Sequence, residues 1–270
     1  MSNPRPKWVR PVRTEPALEV IYGRNPVYEV LVRQSRVVDE LLLTTAAAES
    51  HAIRKLLERA GLPADVPRRT MTQEALASYC GSNDHQGLAL VVDPYEYTPE
   101  EALEHEPPGF LLALDGITDP MNLGAILRSA RCVGVDAILL PGDHSAPVNP
   151  TVVKASAGAT ESLRVIRVAN FASTLQDLHE RGHDVQVAES ASKARGLAIP
   201  VGSYLDHAWE RPLCLVLGSE GEGVRRQVLR VSAGCVYIPM AGDFDSLNVS
   251  AAAAVLLFGI VKKLTSSTTA

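Results

Sequence analysis

The sequence predicts an α/β fold in two parts, and three observations predict it. Short apolar runs alternate with helical patterns from residue 20 to residue 263. After Phe110 the apolar runs show no polar face, as in a mostly parallel sheet covered by helices. Between the halves lies a stretch with Pro94, Pro99, Pro107 and Pro108 that no long apolar pattern crosses. The expected divisions are a basic flexible tail over 1–17, a small α/β domain over 18–93, an acidic Pro-rich linker over 94–108 and a second α/β domain over 109–265.

In the first half, 25–33 reads as a helix with Asn25 as N-cap and Pro26 at its first position. A mostly apolar run over 37–44 reads as a strand. Residues 48–60 have helical spacing (Ile53, Leu56, Leu57), closed by Gly61. A short helix over 72–79 is capped by Thr72, and 88–92 is a buried strand. In the second half, strands are expected at 110–114, 137–140, 164–167, 185–188, 213–217 and 236–238. Helices are expected at 122–133, 150–157, 171–181 and 247–263. No internal repeat is visible.

Aromatics are only 5% of the 270 residues, so the cores must rest on Leu, Val, Ile and Ala. Hydrophobic residues make up 46% and charged ones 21%, which argues against disorder. The apolar stretch over 249–261 is shorter than the ~20 residues that cross a bilayer, so no membrane partner is expected. The basic N-terminus has no apolar h-region of a secretory signal. Cys80, Cys132, Cys214 and Cys235 are far apart without a CxxC, which suits reduced thiols and a cytoplasmic protein.

Net charge is −5, yet its distribution is uneven. Residues 1–36 carry a net +4, from seven cations against three anions. Six acids (Asp93, Glu96, Glu100, Glu101, Glu104, Glu106) crowd the proposed linker. The basic tail is either a nucleic-acid contact or a solvated terminus.

Three segments of the second half place polar residues in loops at strand ends, where open α/β sheets bind ligands. In 111–130, LLALDGITDPMNLGAILRSA, a strand ends at Asp115-Gly116 and Asn122 opens a helix bearing Arg128. Such a helix start can hold a phosphate, or Asn122 merely caps and Arg128 is a surface cation. In 215–224, LVLGSEGEGV, a buried strand runs into Gly218, Gly221 and Gly223. No Lys-Ser/Thr follows, and Arg226 stands where a dinucleotide fingerprint needs Gly. Glu220 and Glu222 would repel phosphate and suit a neutral or cationic ligand; an ordinary strand-to-helix turn is the alternative. In 237–251, YIPMAGDFDSLNVSA, Ser246, Asn248 and Ser250 gather hydrogen-bonding groups at a helix start, whether for a ligand or for simple capping.

His179-Glu180-Arg181-Gly182-His183 matches H-E-x-x-H literally. Gly182 ends the helix before the second histidine, so the two do not share a helix face and no metal site is expected.

Taken in this order and spacing, the three segments resemble the signature motifs of the SpoU (TrmH-type) RNA 2′-O-ribose methyltransferases of the SPOUT superfamily. The resemblance runs through 109–263. The stretch VIYGRNPV over 20–27 and His85-Gln86-Gly87 resemble the two ends of the ribosomal-protein-like RNA-binding domain found on many such enzymes. The branch it resembles most is that of the 23S rRNA guanosine-2′-O-methyltransferases.

This resemblance implies a parallel-sheet domain whose C-terminal segment threads a deep trefoil knot, an exception to the usual rules of chain connection. It implies S-adenosyl-L-methionine as cofactor, held by backbone near Gly218, Ile238 and Leu247 with Leu217 and Met240 beside them. It implies rRNA as substrate and a homodimer whose site lies at the subunit interface. Arg128 then stands next to the target ribose, from the other subunit if the site is shared. Guanidinium keeps its proton, so clamping a phosphate or orienting the 2′-OH suits it better than acting as base. Asn122, Glu220, Ser246 and Asn248 would orient Arg128, the loop and the ribose, and no metal is required. The rival readings are the same chemistry on tRNA or on an antibiotic-binding rRNA site, and an rRNA-binding assembly factor without turnover.

Overall fold

The computed structural model describes residues 18–241 and 246–267. The expected tail over 1–17 lies outside the described residues. The chain begins with β1 (Glu19–Tyr22), too short a run to announce itself by alternation. Helix α1 (Arg24–Arg33) is flanked by Gly23, not Asn25. The Arg24 N–H donates to Gln86 Oε1 at 2.8 Å, so a side chain remote in sequence satisfies this helix end. Strand β2 (Val38–Thr44) leads into α2 (Thr45–Glu49) and α3 (His51–Ala60). The single helix expected here breaks at Ser50, which turns extended and caps α3. Gly61 closes α3 in the left-handed conformation, as expected. Strand β3 (Arg68–Met71) is polar and was not expected. Thr72 caps α4 (Gln73–Cys80), and β4 (Leu88–Val92) completes a sheet of order β1-β4-β2-β3. Leu41 and Leu43 face the buried residues of α1 and α3, whereas Leu42 faces Leu76 of α4.

The segment expected as a linker is fastened down. Tyr95 and Tyr97 meet edge to face, and Tyr97 Oη accepts the Val148 N–H at 2.8 Å. A one-turn helix, α5 (Ala102–His105), buries Leu103.

The second half continues with β5 (Phe110–Asp115), α6 (Pro120–Val133), β6 (Ala137–Pro141), α7 (Pro150–Ala155) and β7 (Arg164–Val168). Then come α8 (Phe171–Glu180), β8 (Asp184–Ala188), α9 (Ala191–Ala194), β9 (Val201–Ser203) and β10 (Leu213–Gly218). The chain ends with α10 (Arg226–Val231), β11 (Gly234–Tyr237) and α11 (Val249–Ser267). The strands form a parallel sheet of order β7-β6-β5-β10-β8-β11-β9. Alternation along β5 sends Phe110, Leu112 and Leu114 into the core shared with α6, α7 and α11. Leu111 and Ala113 pack on the other face with residues of α8 and α10.

Two expected helix starts shift. Asp119 caps α6 by accepting from Met121 and Asn122, so Asn122 lies inside the first turn. Helix α11 starts at Val249, where Asn248 Oδ1 accepts the Ser250 N–H at 2.9 Å. By length and composition α11 could span a membrane; here Ala253, Leu256, Leu257 and Ile260 are buried in the core. The metal motif is a helix end: α8 stops at Glu180, and the His183 ring lies 2.9 Å from Pro108 O and 3.2 Å from Leu178 O.

The two halves meet across a buried ion pair. Arg36 Nη2 lies 2.8 Å from Glu161 Oε1, with side chains 1% and 0% exposed. Arg36 also reaches Glu19 at 2.6 Å, and Ser35 Oγ donates to Glu161 Oε2 at 2.6 Å. Burial pulls the Arg36 guanidinium down, but the hydrogen bonds and charges of Glu161 and Glu19 outweigh it and hold it above its ordinary value. Nearby, Lys154 of α7 donates to Asp84 O at 2.7 Å and sits over the Tyr22 ring.

Candidate active site

The C-terminal ends of β8, β10 and β11 enclose a cavity of about 290 Å³. Leu217, Gly218, Ile238, Met240 and Leu247 all line it, joined by Glu220 and Ser246. Its floor is apolar because buried strands end there, and its wall is the loop that follows β10.

That loop is folded tightly on itself. Ser219 and Gly223 form an isolated bridge, and Gly223 has φ 75, a conformation that favours glycine. A Cβ on Gly218 would stand 2.2 Å from the Gly223 carbonyl carbon. A Cβ on Gly223 would run into the Glu189 carboxylate. Glu189, just beyond β8, accepts the Val224 N–H at 2.6 Å. Asp115 at the tip of β5 is buried and accepts from Arg225 N at 2.9 Å and Arg225 Nε at 2.6 Å, anchoring the far end of the loop.

Glu220 joins the loop to two helices. Its Oε1 accepts from Asn248 Nδ2 at 2.5 Å, from the Val249 N–H at 3.1 Å and from Asn122 Nδ2 at 3.5 Å. Asn248 Nδ2 also reaches Asn122 Oδ1 at 3.0 Å. Residues 122, 220 and 248, drawn from the three sequence segments, therefore form one hydrogen-bonded cluster beside the cavity. Glu222 is exposed and outside the lining. Residues 242–245 of the third segment lie outside the described residues.

Arg128 is not drawn into this cluster. It is exposed on α6, and among the described residues it forms no hydrogen bond or ion pair and does not line the cavity. It shares a helix face with Met121, seven residues earlier, which is 58% exposed.

Sequence reasoning did not single out Glu189, Lys193 or Arg225. An acid directly after the apolar end of β8 was the available signal for Glu189. Lys193 and Arg225 carried none, because their roles depend on how separate loops meet.

A small α/β unit ahead of a parallel α/β sheet, with a glycine-walled cavity at the strand ends, is the plan of a ligand-binding enzyme of the doubly-wound kind. The SpoU rRNA Methylase family model matches residues 109–258, and the model for RNA 2′-O ribose methyltransferase substrate binding matches residues 20–98. The chain belongs to the SpoU rRNA methylase family. It is 36% identical to the 23S rRNA (guanosine-2′-O-)-methyltransferase RlmB of Vibrio cholerae, over 91% of this chain and 97% of that one. It is 34% identical to the human mitochondrial rRNA methyltransferase 1, over 90% and 72% of the two chains. Among solved structures, a TrmH-family RNA methyltransferase of Porphyromonas gingivalis superposes with TM-score 0.69 at 28% identity, covering 90% of this chain and 89% of that one. The SpoU methyltransferase AviRb of Streptomyces viridochromogenes gives 0.71 at 25% identity over 94% and 92%. AviRb has also been solved in complex with AdoMet.

Proposed function

We propose that this chain methylates a ribose 2′-OH of RNA with S-adenosylmethionine as donor, and that its substrate is a guanosine of 23S rRNA. The observation that carries this is the convergence of Asn122, Glu220 and Asn248 beside a glycine-walled cavity. Relatives named as 23S rRNA guanosine methyltransferases match across both halves of the chain, which favours that substrate.

The cavity suits the cofactor. Leu217, Ile238, Met240 and Leu247 offer apolar surface, Gly218 lets the loop after β10 close tightly against the strand end, and Glu189 and Glu220 supply negative charge. The cofactor supplies an already activated methyl sulfonium, so the protein's task is positioning. Glu220, held by Asn248 and the Val249 N–H, sets the loop against the start of α11. We assign Asn122 and Ser246 to orienting the ribose, and Arg128 to clamping phosphate or stabilising the developing alkoxide.

Arg128 reaches this place from a second subunit in our reading. The homodimer is supported by exposed apolar residues on two packed helices: Met121 on the Arg128 face of α6, and Val255 and Phe258 on α11, which packs against α6. We assign residues 18–93 to RNA binding, 94–108 to the connection and 109–265 to the methyltransferase domain. The trefoil knot goes with this assignment, favoured by β10 lying between β5 and β8, which precede it in the chain. A basic tail over 1–17 that tracks phosphates and a cytoplasmic location complete the reading.

The test is methyl transfer from labelled S-adenosylmethionine to unmodified 23S rRNA, 16S rRNA and tRNA, mapped by resistance to alkaline cleavage. One resistant site in 23S rRNA, lost in Arg128→Ala, is expected. Incorporation into tRNA alone overturns the substrate assignment, and cofactor binding without incorporation into any RNA or assembling subunit overturns the activity.

A further inference from the structure

We propose that Lys193 is the counter-ion for the α-carboxylate of S-adenosylmethionine and fixes the amino-acid end of the cofactor at the cavity rim. This rests on the cofactor reading above. At neutral pH that cofactor carries a sulfonium, an ammonium and a single carboxylate. Among the described residues, the lining offers two carboxylates, Glu189 and Glu220, and one cation, Lys193. Both carboxylates already accept backbone N–H groups, Glu189 from Val224 and Glu220 from Val249. They give the cavity a negative bias that suits the two cationic groups and would repel the carboxylate. Within one chain's lining the carboxylate therefore has one place of opposite charge to go, and in the reading above a partner's arginine is engaged at the RNA side of the site.

Lys193 is built for that place. It is exposed on α9 at the cavity rim, and its Nζ donates to Gly221 O at 2.6 Å. An ammonium has three donors, so this bond leaves two for a carboxylate. The same bond holds the flexible side chain against the glycine-rich loop, so much of its rotamer freedom is already lost before a ligand arrives. Ser190 and Ser192 line the same rim, which is polar where the Leu217 and Ile238 side is apolar.

The competing role for Lys193 is to pin Gly221 and nothing more. The two roles respond differently to a ligand that lacks the carboxylate. Calorimetry should compare S-adenosylhomocysteine, which keeps the amino-acid group, with 5′-methylthioadenosine, which lacks it. In Lys193→Gln we expect S-adenosylhomocysteine to bind about fivefold more weakly, the scale of a partly solvated ion pair. Methylthioadenosine should change by less than about twofold, and Lys193→Arg should recover most of the loss. Equal weakening of both ligands, or no change in either, overturns the proposal. Failure of both ligands to bind the unaltered protein overturns the cofactor reading itself, a result distinct from either.

Discussion

Glu220 Oε1 and Asn248 Nδ2 lie 2.5 Å apart, which ties the glycine-rich loop after β10 to the first turn of α11. The same oxygen accepts the Val249 N–H, so one carboxylate closes the cavity wall and satisfies a helix end. Glu220→Ala should leave both unmet and let the loop drift from the helix. A displacement of about 1 Å costs on the order of 100-fold in rate. Single-turnover methyl transfer should fall by about that much in Glu220→Ala and by far less in Glu220→Gln, which keeps the accepting oxygen. Equal losses in the two variants would show that the charge, and not the hydrogen bond, is what counts.

A site shared between subunits makes a quantitative prediction. Arg128→Ala and Glu220→Ala should each be nearly inactive alone. Unfolded together, mixed in equal amounts and refolded, half the dimers are hybrids, and each hybrid has one intact site. Activity should return to roughly a quarter of the unaltered level. No recovery on mixing would place Arg128 and Glu220 of one chain at the same site.

Gly218 tests the tightness of the cavity wall. An added Cβ would overlap the backbone of Gly223 and Val224, which no side-chain rotation relieves. Gly218→Ala should therefore push the loop away, weaken cofactor binding by more than about tenfold and cost about 1–3 kcal/mol of stability. Calorimetry and a urea melt read the two effects. Unchanged cofactor affinity would remove Gly218 from the binding surface.

The seam between the halves carries its own prediction. Glu161→Ala leaves the Arg36 guanidinium buried, with Glu19 its one remaining ion-pair partner among the described residues. We expect a loss of about 3 kcal/mol, the low end for breaking a buried pair because Glu19 remains. Replacing both partners, Arg36→Met with Glu161→Leu, should restore most of it. Denaturant unfolding of the three proteins decides this, and a double variant no better than Glu161→Ala would refute the account.

The cysteines predict a labelling order. Burial pushes the Cys80 thiol up to about 11, and burial and Glu189 push Cys235 up to about 12. Burial raises Cys214 further still. At pH 8 a thiol with a pKa near 11 is ionised in about one molecule in a thousand. A disulfide reagent at that pH should titrate Cys80 slowly, and Cys214 and Cys235 only after unfolding. Raising the pH towards 10 should speed the Cys80 reaction, since its thiolate fraction grows tenfold per unit.

Strands and helices with strong local patterns were legible. In the second half β5, β6, β8 and β10, buried over most of their length, were expected to within a few residues, whereas the short β9, α9 and α10 were not expected. What escaped depended on distant partners. Asn25 has the chemistry of a cap, yet Gln86 does that work for Arg24 from 62 residues away and the helix starts earlier. Strand β3 is polar because it lies at a sheet edge, so it has no buried face to reveal it. All five residues that the family resemblance implies for the cofactor line one cavity. Arg128 lies outside it, on an exposed face of α6.

The position of β10 bears on how this protein comes to be made. It pairs with β5 and β8, and its residues are matched with β5 residues roughly 100 positions earlier. During synthesis, β5, β6, β7 and β8 leave the ribosome before the strand that belongs between β5 and β8. Until residues 213–218 arrive, those two strands expose open, apolar edges of the kind that recruit other chains. Assembly of the sheet is thus a late event, governed by loop closure over long stretches of chain, and the nascent protein must be kept from its neighbours until its central strand is in place.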